Sequence, residues 1–138
     1  MKDIKELIPL CQNHFDAVDM GGRFYSLDAM TASQSLQKFV KEPMFTSLVS
    51  ENDGAIDGVC VFGTHKSMFD ILDVHSSEIL WYAKKPKTFI ELFETIEPIL
   101  EGNIHVGLPT KAEPVAKYLS KKGYIKTEIV YSKGGKHV

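Results

Sequence analysis

The chain of 138 residues has little cysteine, no long apolar run and no excess of one charge. Its two cysteines, Cys11 and Cys60, are too few for a disulfide framework, so we expect both to be buried thiols in a reducing compartment. No stretch approaches the roughly 18–20 apolar residues that span a bilayer, and the N-terminal sequence MKDIKELIPL lacks the apolar core of a signal peptide. With a net charge of −2, the composition does not indicate a nucleic-acid partner.

The length predicts one domain over residues 1–138, large enough to bury a core. Metal ligands are also scarce. Cys11 and His14 form a Cys-x-x-His pair, but a zinc site needs about four ligands. The remaining candidates, His65, His75 and His105, are scattered along the sequence, so we expect no metal.

Helical and extended patterns divide the chain in two. Apolar residues recur at helical spacing over residues 2–15, and Asp28 is placed to cap a second helix over 29–42. Two β-rich runs then flank Asp53-Gly54, which is a strong hairpin signal, and Gly63 in the second run is predicted to form a bulge or bend. The rest is predicted to form a strand at 78–83, a helix at 87–100, a strand at 103–108, a helix at 111–124 and a last strand at 125–133.

This order of elements predicts an α/β fold with a mixed central sheet flanked by helices. The strand–helix–strand units of the second half require right-handed crossovers, whereas the first half is an antiparallel meander. A fold of this class does not by itself name a function.

The junction between the strand at 78–83 and the helix that follows it contains no glycine and reads AKKPKT over 83–88. Glycine commonly lets backbone amides approach a phosphate at such a junction, and Pro86 removes one further amide donor. Three lysines are present instead: Lys84, Lys85 and Lys87. They are either flexible partners for a phosphate or solvated side chains around a helix start.

Four segments, in this order, resemble the GNAT (acyl-CoA N-acyltransferase) superfamily, and they are most similar to its short, phage-encoded branch. The segments are RFYSLD, VSENDGAIDGV, EILWY and PVAKYLSKKGYIKTEIVYSK. The last is the most specific, because it places Ala116 on a helix, then Gly123-Tyr124, then a closing strand. The resemblance covers essentially the whole chain.

The resemblance implies an acetyl-CoA site. In such folds the central strand separates from its neighbour, and the pantetheine arm of the coenzyme pairs with the exposed strand backbone. The pyrophosphate binds to backbone amides at the N-terminus of the next helix. Unpaired N–H groups and the helix dipole favour an anion there. The family motif Arg/Gln-x-x-Gly-x-Gly/Ala is absent here, so the pyrophosphate loop is degenerate. The implied cofactor-binding residues are Trp81, Tyr82, Ala83, Lys84, Lys85, Lys87 and Thr88.

The resemblance also implies catalytic residues. Glu78 lies where relatives place an acidic residue, and it is either a base that accepts a proton from an amine, directly or through one water, or a polar residue at a strand start. Many relatives protonate the departing thiolate with a tyrosine at the position of Leu119. Tyr118 lies about 100° from it around the helix, and either reaches the cleft or packs with its hydroxyl in water. Phe24 and Tyr25 either line an acceptor pocket or pack in the core.

Two functions of different classes follow from the resemblance. The first is an N-acetyltransferase that uses acetyl-CoA, without a metal, to acetylate an amine-bearing small molecule or protein. The second is a catalytically reduced phage protein with a structural, virion-associated or assembly role, which the missing glycines and displaced tyrosine favour. The expected location is the host cytoplasm or the virion, with virion proteins as partners in the second case and no nucleic acid or membrane in either.

Overall fold

The computed structural model describes residues 2–18, 27–109 and 111–134. Within these residues, helices and strands follow the predicted order, except at the C-terminal end. They are α1 (Lys2–Val18), α2 (Ala29–Lys41), β1 (Phe45–Asn52), β2 (Ala55–Lys66), β3 (Val74–Ala83), α3 (Pro86–Ile96), a 3-10 turn (Glu97–Ile99), β4 (Asn103–His105) and α4 (Glu113–Lys121). None of the helices in these described ranges is long and apolar enough to cross a membrane.

Local sequence signals set several of these boundaries. The carboxylate of Asp28 accepts hydrogen bonds from the backbone N–H (2.9 Å) and the hydroxyl (2.8 Å) of Thr31, which caps α2 as predicted. Asp53 and Gly54 join β1 to β2 with φ values of 52° and 79°, the pair of positive values that a two-residue hairpin turn needs. Gly123, with φ of 96°, follows the last turn of α4 and ends that helix as predicted.

The sheet is mixed, which confirms the predicted fold class. Its strand order is β1-β2-β3-β4. The pairs β1–β2 and β2–β3 are antiparallel, whereas β3–β4 is parallel. The crossover from β3 to β4 runs through α3, as expected for a parallel pair.

Two apolar layers cover the two faces of the sheet. One layer joins α1 and α2 to the sheet, and the other joins α3 and α4 to it; we call these the α1/α2 face and the α3/α4 face. Successive side chains of β2 point to opposite faces of the sheet. Val59 and Val61 therefore belong to the first layer, and Cys60 and Phe62 belong to the second. Both cysteines are buried free thiols, as predicted, and burial raises the pKa of Cys11 to about 11.

The irregular points of the sheet differ from the prediction. Gly63 is not a bulge, because it pairs in register with Phe45 on one side and Ser77 on the other. The extra residues are instead Asp57, between the pairs Ser50–Gly58 and Glu51–Ile56, and Ile79, between the pairs Val61–Leu80 and Phe62–Glu78. Because a bulge shifts the alternation by one residue, Ile79 and Leu80 both lie on the α1/α2 face.

The predicted last strand at 125–133 is wrong. Residues 124–134 contain no strand, and Ile125 and Tyr131 are 83% and 89% exposed. An alternating pattern predicts a strand only where a neighbouring edge is available to pair with it. The outer neighbour here is β4, which is only three residues long.

Candidate functional site

Strands β3 and β4 pair over three residues and then separate. The pairs are His75–Asn103, Ser76–Ile104 and Ser77–His105. Beyond Ser77, β3 continues to Ala83, while the chain after His105 is no longer a strand. We call the opening between 78–83 and 106–109 the fork, and the Ser77–His105 pair its apex. In the described residues, this edge of β3 carries no strand partner beyond the apex.

Alternate residues of β3 direct their backbone groups into the fork. The N–H of Lys84 donates to the carbonyl oxygen of Asp57 on β2 (2.9 Å), so residues of the same parity, including Tyr82, face β2. Trp81 and Ala83 therefore face the fork. The Nδ1–H of His14 donates to the carbonyl oxygen of Trp81 (3.1 Å), in agreement with this parity. Of the three residues predicted to offer a backbone edge, two thus present their polar groups to the fork.

His14, on α1, is buried beneath this edge. It is 6% exposed, and desolvation lowers its pKa, against the raising effect of its bond to the Trp81 carbonyl. The imidazole is therefore neutral at neutral pH and holds its proton on Nδ1, where the carbonyl accepts it. The result is a direct contact between α1 and the fork.

Helix α3 begins at the open end of the fork. Lys85 is its N-cap and makes no side-chain capping bond, and Pro86 occupies the first turn. Pro86 has no N–H, and the N–H of Phe89 already donates to the carbonyl oxygen of Lys85 (3.1 Å). In the first turn of α3, the N–H groups of Lys87 and Thr88 are therefore the ones available to a ligand. The three predicted lysines are exposed there, with Nζ of Lys87 3.8 Å from a carboxylate oxygen of Glu91.

A glycine does shape this junction, but it lies on the neighbouring strand. A Cβ on Gly58 of β2 would lie 2.9 Å from Cδ1 of Leu92 and 3.2 Å from Cγ2 of Thr88. These distances are shorter than ordinary van der Waals contacts, so Gly58 lets the first turns of α3 approach the sheet closely. The sequence of 83–88 gives no sign of this glycine, because Gly58 is about 25 positions away along the chain.

Trp81 anchors the start of α3 to the strand. Its indole N–H donates to the carbonyl oxygen of Phe89 (2.9 Å). Its ring lies parallel to Phe89 at 3.9 Å between centroids and close to Phe93 at 4.8 Å. The side chain of Trp81 therefore faces α3, and only its backbone faces the fork.

Replacing this indole tests the anchor. We expect Trp81→Phe to lower the free energy of unfolding by about 1–2 kcal/mol, because the indole loses its hydrogen bond to a part-buried carbonyl while most of the ring contact remains. Urea denaturation measures the change. The control is Tyr131→Phe, at an 89% exposed ring, for which we expect no change; equal effects of the two substitutions would contradict the assignment.

Glu78 lies immediately beyond the apex, on the α3/α4 face. Its strand partner is Phe62, and its charge is close enough to Cys60 to raise the pKa of that thiol further after burial has raised it. The carboxyl group is partly buried, and desolvation raises its own pKa to about 7. A carboxyl with this pKa exchanges a proton near neutral pH, as a general acid–base group needs.

A pocket of about 220 Å³ opens on the other face of β3. Ile79 and Leu80 form its floor, and α1 and α2 form its walls. The lining residues are mostly apolar: Cys11, Phe15, Leu27, Ala32, Leu36, Phe39, Ile79 and Leu80, with Asp28, Thr31 and Ser35 as the polar members. The predicted acceptor residues Phe24 and Tyr25 lie outside the described residues.

Tyr118 lies between α3 and α4. Its hydroxyl donates to Glu94 (3.0 Å), its ring meets Phe93 edge-on, and Nζ of Lys122 lies 5.7 Å from its ring centroid. Burial, followed by the hydrogen bond to Glu94, raises its pKa. This geometry corresponds to the packing alternative, so a role for Tyr118 as the acid stays a prediction. Leu119, at the position of the family tyrosine, is buried.

The structure also assembles three histidines that the sequence left scattered. His65, His75 and His105 lie side by side on β2, β3 and β4. Sequence reasoning missed them because only the strand register brings them together. The described ranges contain no group of three or more His, Cys, Asp and Glu side chains placed to hold a metal ion.

Solved structures with this architecture include several acetyltransferases. A possible acetyltransferase from Clostridium difficile 630 matches with a TM-score of 0.69 and 14% identity, over 99% of this chain and 93% of that chain. A predicted acetyltransferase with acetyl-CoA from Clostridium acetobutylicum matches with 0.65 and 13%, over 96% and 90%. A GNAT family acetyltransferase from Staphylococcus aureus matches with 0.62 and 13%, over 96% and 92%.

At these identities the likeness establishes the fold: the chain has the mixed α/β fold of GNAT acetyltransferases. No protein-family model matches the sequence, and no curated protein matches it.

Proposed function

We propose that the chain is a GNAT-type N-acetyltransferase that transfers the acetyl group of acetyl-CoA to a primary amine. The observation that carries the proposal is the fork, where β3 loses its parallel partner after three residues and leaves backbone groups of Trp81 and Ala83 without a strand neighbour. A solved structure of the same fold is a complex with acetyl-CoA. An extended pantetheine arm would satisfy such an edge in the way that an added strand does.

The open end of the fork suits the pyrophosphate. The free amides of Lys87 and Thr88 lie at the positive end of the α3 dipole. Lys84, Lys85 and Lys87 add three exposed positive charges around them. We propose that these positive charges hold the pyrophosphate in place of the backbone amides that a glycine-rich loop brings close to it. Coenzyme binding should then depend more strongly on salt concentration.

Glu78 suits proton transfer at the apex. An ammonium must lose one proton before it attacks the thioester carbonyl and a second as the tetrahedral intermediate collapses, while the departing sulfur gains one. Because the pKa of Glu78 is raised to about 7 by burial, this carboxylate can take a proton from the nitrogen, directly or through one water, and release it again to the sulfur.

The pocket on the α1/α2 face suits the acceptor. Its volume of about 220 Å³ holds roughly seven groups of the size of a water molecule, at about 30 Å³ each. Its lining is mostly apolar, and Oδ2 of Asp28 already accepts two hydrogen bonds from Thr31. We therefore propose a primary amine on a short apolar arm as the substrate class.

Calorimetry with acetyl-CoA tests the proposal directly. We expect saturable binding with a dissociation constant below 1 mM, and release of the CoA thiol when an amine is added. Absence of binding at millimolar coenzyme would overturn the proposal.

The three lysines at the start of α3 give a second prediction, for coenzyme affinity. We expect the triple substitution of Lys84, Lys85 and Lys87 by Ala to weaken coenzyme binding about tenfold at low salt, since exposed ion pairs contribute up to roughly 1 kcal/mol each. The difference should shrink at 0.5 M salt. A control protein with Lys66, Lys126 and Lys133 replaced by Ala has the same net charge and should bind as the wild type does.

A second function is favoured by two exposed apolar segments. The connection between β2 and β3 carries four apolar side chains that are 72–98% exposed: Met68, Phe69, Ile71 and Leu72. The C-terminal segment adds Ile125, Ile129, Val130 and Tyr131. Exposed apolar clusters of this kind mark protein interfaces, so we propose an assembly role in a phage virion as the alternative. Mass spectrometry of purified virions tests it: a stoichiometric copy number supports it, and absence contradicts it.

A further inference from the structure

The three histidines form a connected row at the apex of the fork. Nδ1 of His75 lies 2.7 Å from Nε2 of His105, and Nε2 of His75 lies 2.9 Å from a carboxylate oxygen of Asp73. The second carboxylate oxygen of Asp73 is 3.5 Å from the side-chain amide of Asn103. On the other side of His75, the ring of His65 lies nearly parallel, at 16° and 5.5 Å.

With both imidazoles neutral, these contacts assign the protons of His75 and His105. Since the Asp73 carboxylate only accepts hydrogen bonds, Nε2 of His75 must donate to it. Neutral His75 then has a lone pair on Nδ1, so Nε2 of neutral His105 must donate across the 2.7 Å contact. The remaining nitrogen, Nδ1 of His105, therefore carries a lone pair and is free to accept a proton. The order Asp73, His75, His105 is thus a relay with its basic end at His105.

The relay lies on the same face as the pocket. His75 and Ser77 share the face of Gly63 and Ile79, because Ser77 pairs with Gly63 and Cδ1 of Ile79 lies 3.0 Å from where a Cβ of Gly63 would be. His105 is the last residue of β4 and pairs with Ser77 at the apex. Glu78 lies on the opposite face. The pocket lining includes Ile79, two residues beyond Ser77, so the pocket and the His105 side of the apex lie on one face of β3.

We infer that His105 accepts the first proton of the acceptor ammonium, and that Asp73 and His75 position it. The inference rests on the proposed acetyl transfer and divides its proton movements between the two faces of β3. The N–H bond of the ammonium breaks and its proton goes to Nδ1 of His105, and the nitrogen lone pair then forms the N–C bond to the acetyl carbon as the C–S bond breaks. The second nitrogen proton moves through Glu78 to the sulfur. His105 is exposed and returns its proton to water.

A kinetic experiment separates this role from a structural one. With acetyl-CoA and hexylamine or phenethylamine as probes, we expect His105→Asn to lower kcat/KM about a hundredfold at pH 7. The loss should shrink to less than about threefold near pH 10, because for an ammonium pKa of about 10.4 roughly a quarter of the amine in solution is then already deprotonated. Asp73→Asn and His75→Asn should give intermediate losses, of about tenfold, with the same pH dependence.

The control is His65→Asn, at a histidine of the same row that bonds to Ser77 (3.0 Å) and takes no part in the relay; it should retain kcat/KM. A loss that is equal at pH 7 and pH 10, or full activity of His105→Asn at pH 7, would overturn the inference. Acetyl-CoA affinity is measured for each variant. Failure of the wild type to bind the coenzyme or to acetylate either amine overturns the proposed function along with the inference, whereas acetylation by the wild type that His105→Asn does not slow at pH 7 overturns the inference alone.

The tautomers provide an independent measurement that needs no substrate. In ¹⁵N-labelled protein with neutral imidazoles, we expect His75 and His105 both to carry their hydrogen on Nε2. Asp73→Asn should lift this restriction at His75. A hydrogen on Nδ1 of neutral His105 would contradict the relay.

Discussion

Gly102→Ala is expected to lower the free energy of unfolding by about 3–4 kcal/mol, the largest effect that we predict for an exposed residue of this chain. Gly102 precedes β4 with φ of +70°, a conformation that costs an L side chain about 1–2 kcal/mol. A Cβ at this position would also overlap the carbonyl oxygen of Val74, so the backbone must shift, at a further cost of about 1–3 kcal/mol. Because Val74 begins β3, the shift also disturbs the pairing at the apex of the fork.

Gly54 provides a matched control for this substitution. It has a similar φ of +79°, but an added Cβ would meet no atom within 4 Å. We therefore expect Gly54→Ala to cost only the conformational part, about 1–2 kcal/mol. Urea denaturation of both variants separates the two contributions. Equal losses would show that a Cβ at position 102 does not force the backbone at Val74 to shift.

Glu78→Gln is expected to stabilise the protein at pH 8 while it lowers the proposed acetyl transfer roughly a hundredfold or more. Burial raises the pKa of Glu78 from its ordinary 4.5 to about 7, so between these values the folded chain keeps a proton that the unfolded chain has released. Stability from this group is complete below about pH 4.5 and is lost as the pH rises through 7. The shift corresponds to about 3 kcal/mol, which partial contact with water reduces to about 2 kcal/mol.

The measurement is denaturation of the wild type and Glu78→Gln at pH 4.5 and pH 8. The variant should gain about 2 kcal/mol over the wild type at pH 8 and nothing at pH 4.5. Glu128→Gln, at an exposed carboxylate, is the control and should match the wild type at both. A difference that does not depend on pH would contradict the burial of this carboxyl group.

The fold was largely predictable because its signals are local. Helical spacing, the cap at Asp28 and the turn at Asp53-Gly54 each depend on a few neighbouring residues, and each is found as expected. The segment at 125–133 has an equally clear alternating pattern, yet it pairs with no strand in the described part of the chain. Local pattern indicates what a segment can form, whereas the available sheet edge decides whether it does.

The site was predictable only in part, because its geometry depends on register. The sequence indicated Glu78 and the backbone edge, but which face each side chain takes depends on the extra residue Ile79. The relay depends on the pairing of β3 with β4, since His75 and His105 are 30 positions apart. No spacing rule links them, just as none links Gly58 to the start of α3.

In the proposed acetyltransferase, the hydrogen bond from His14 to Trp81 connects the coenzyme site and the acceptor pocket to one helix. α1 contacts the coenzyme edge through His14 and forms a wall of the acceptor pocket through Cys11 and Phe15. A coenzyme that displaces or tightens this contact moves the same rigid element against which the acceptor packs. The affinities for the two ligands are then coupled, and each changes the other by the same factor.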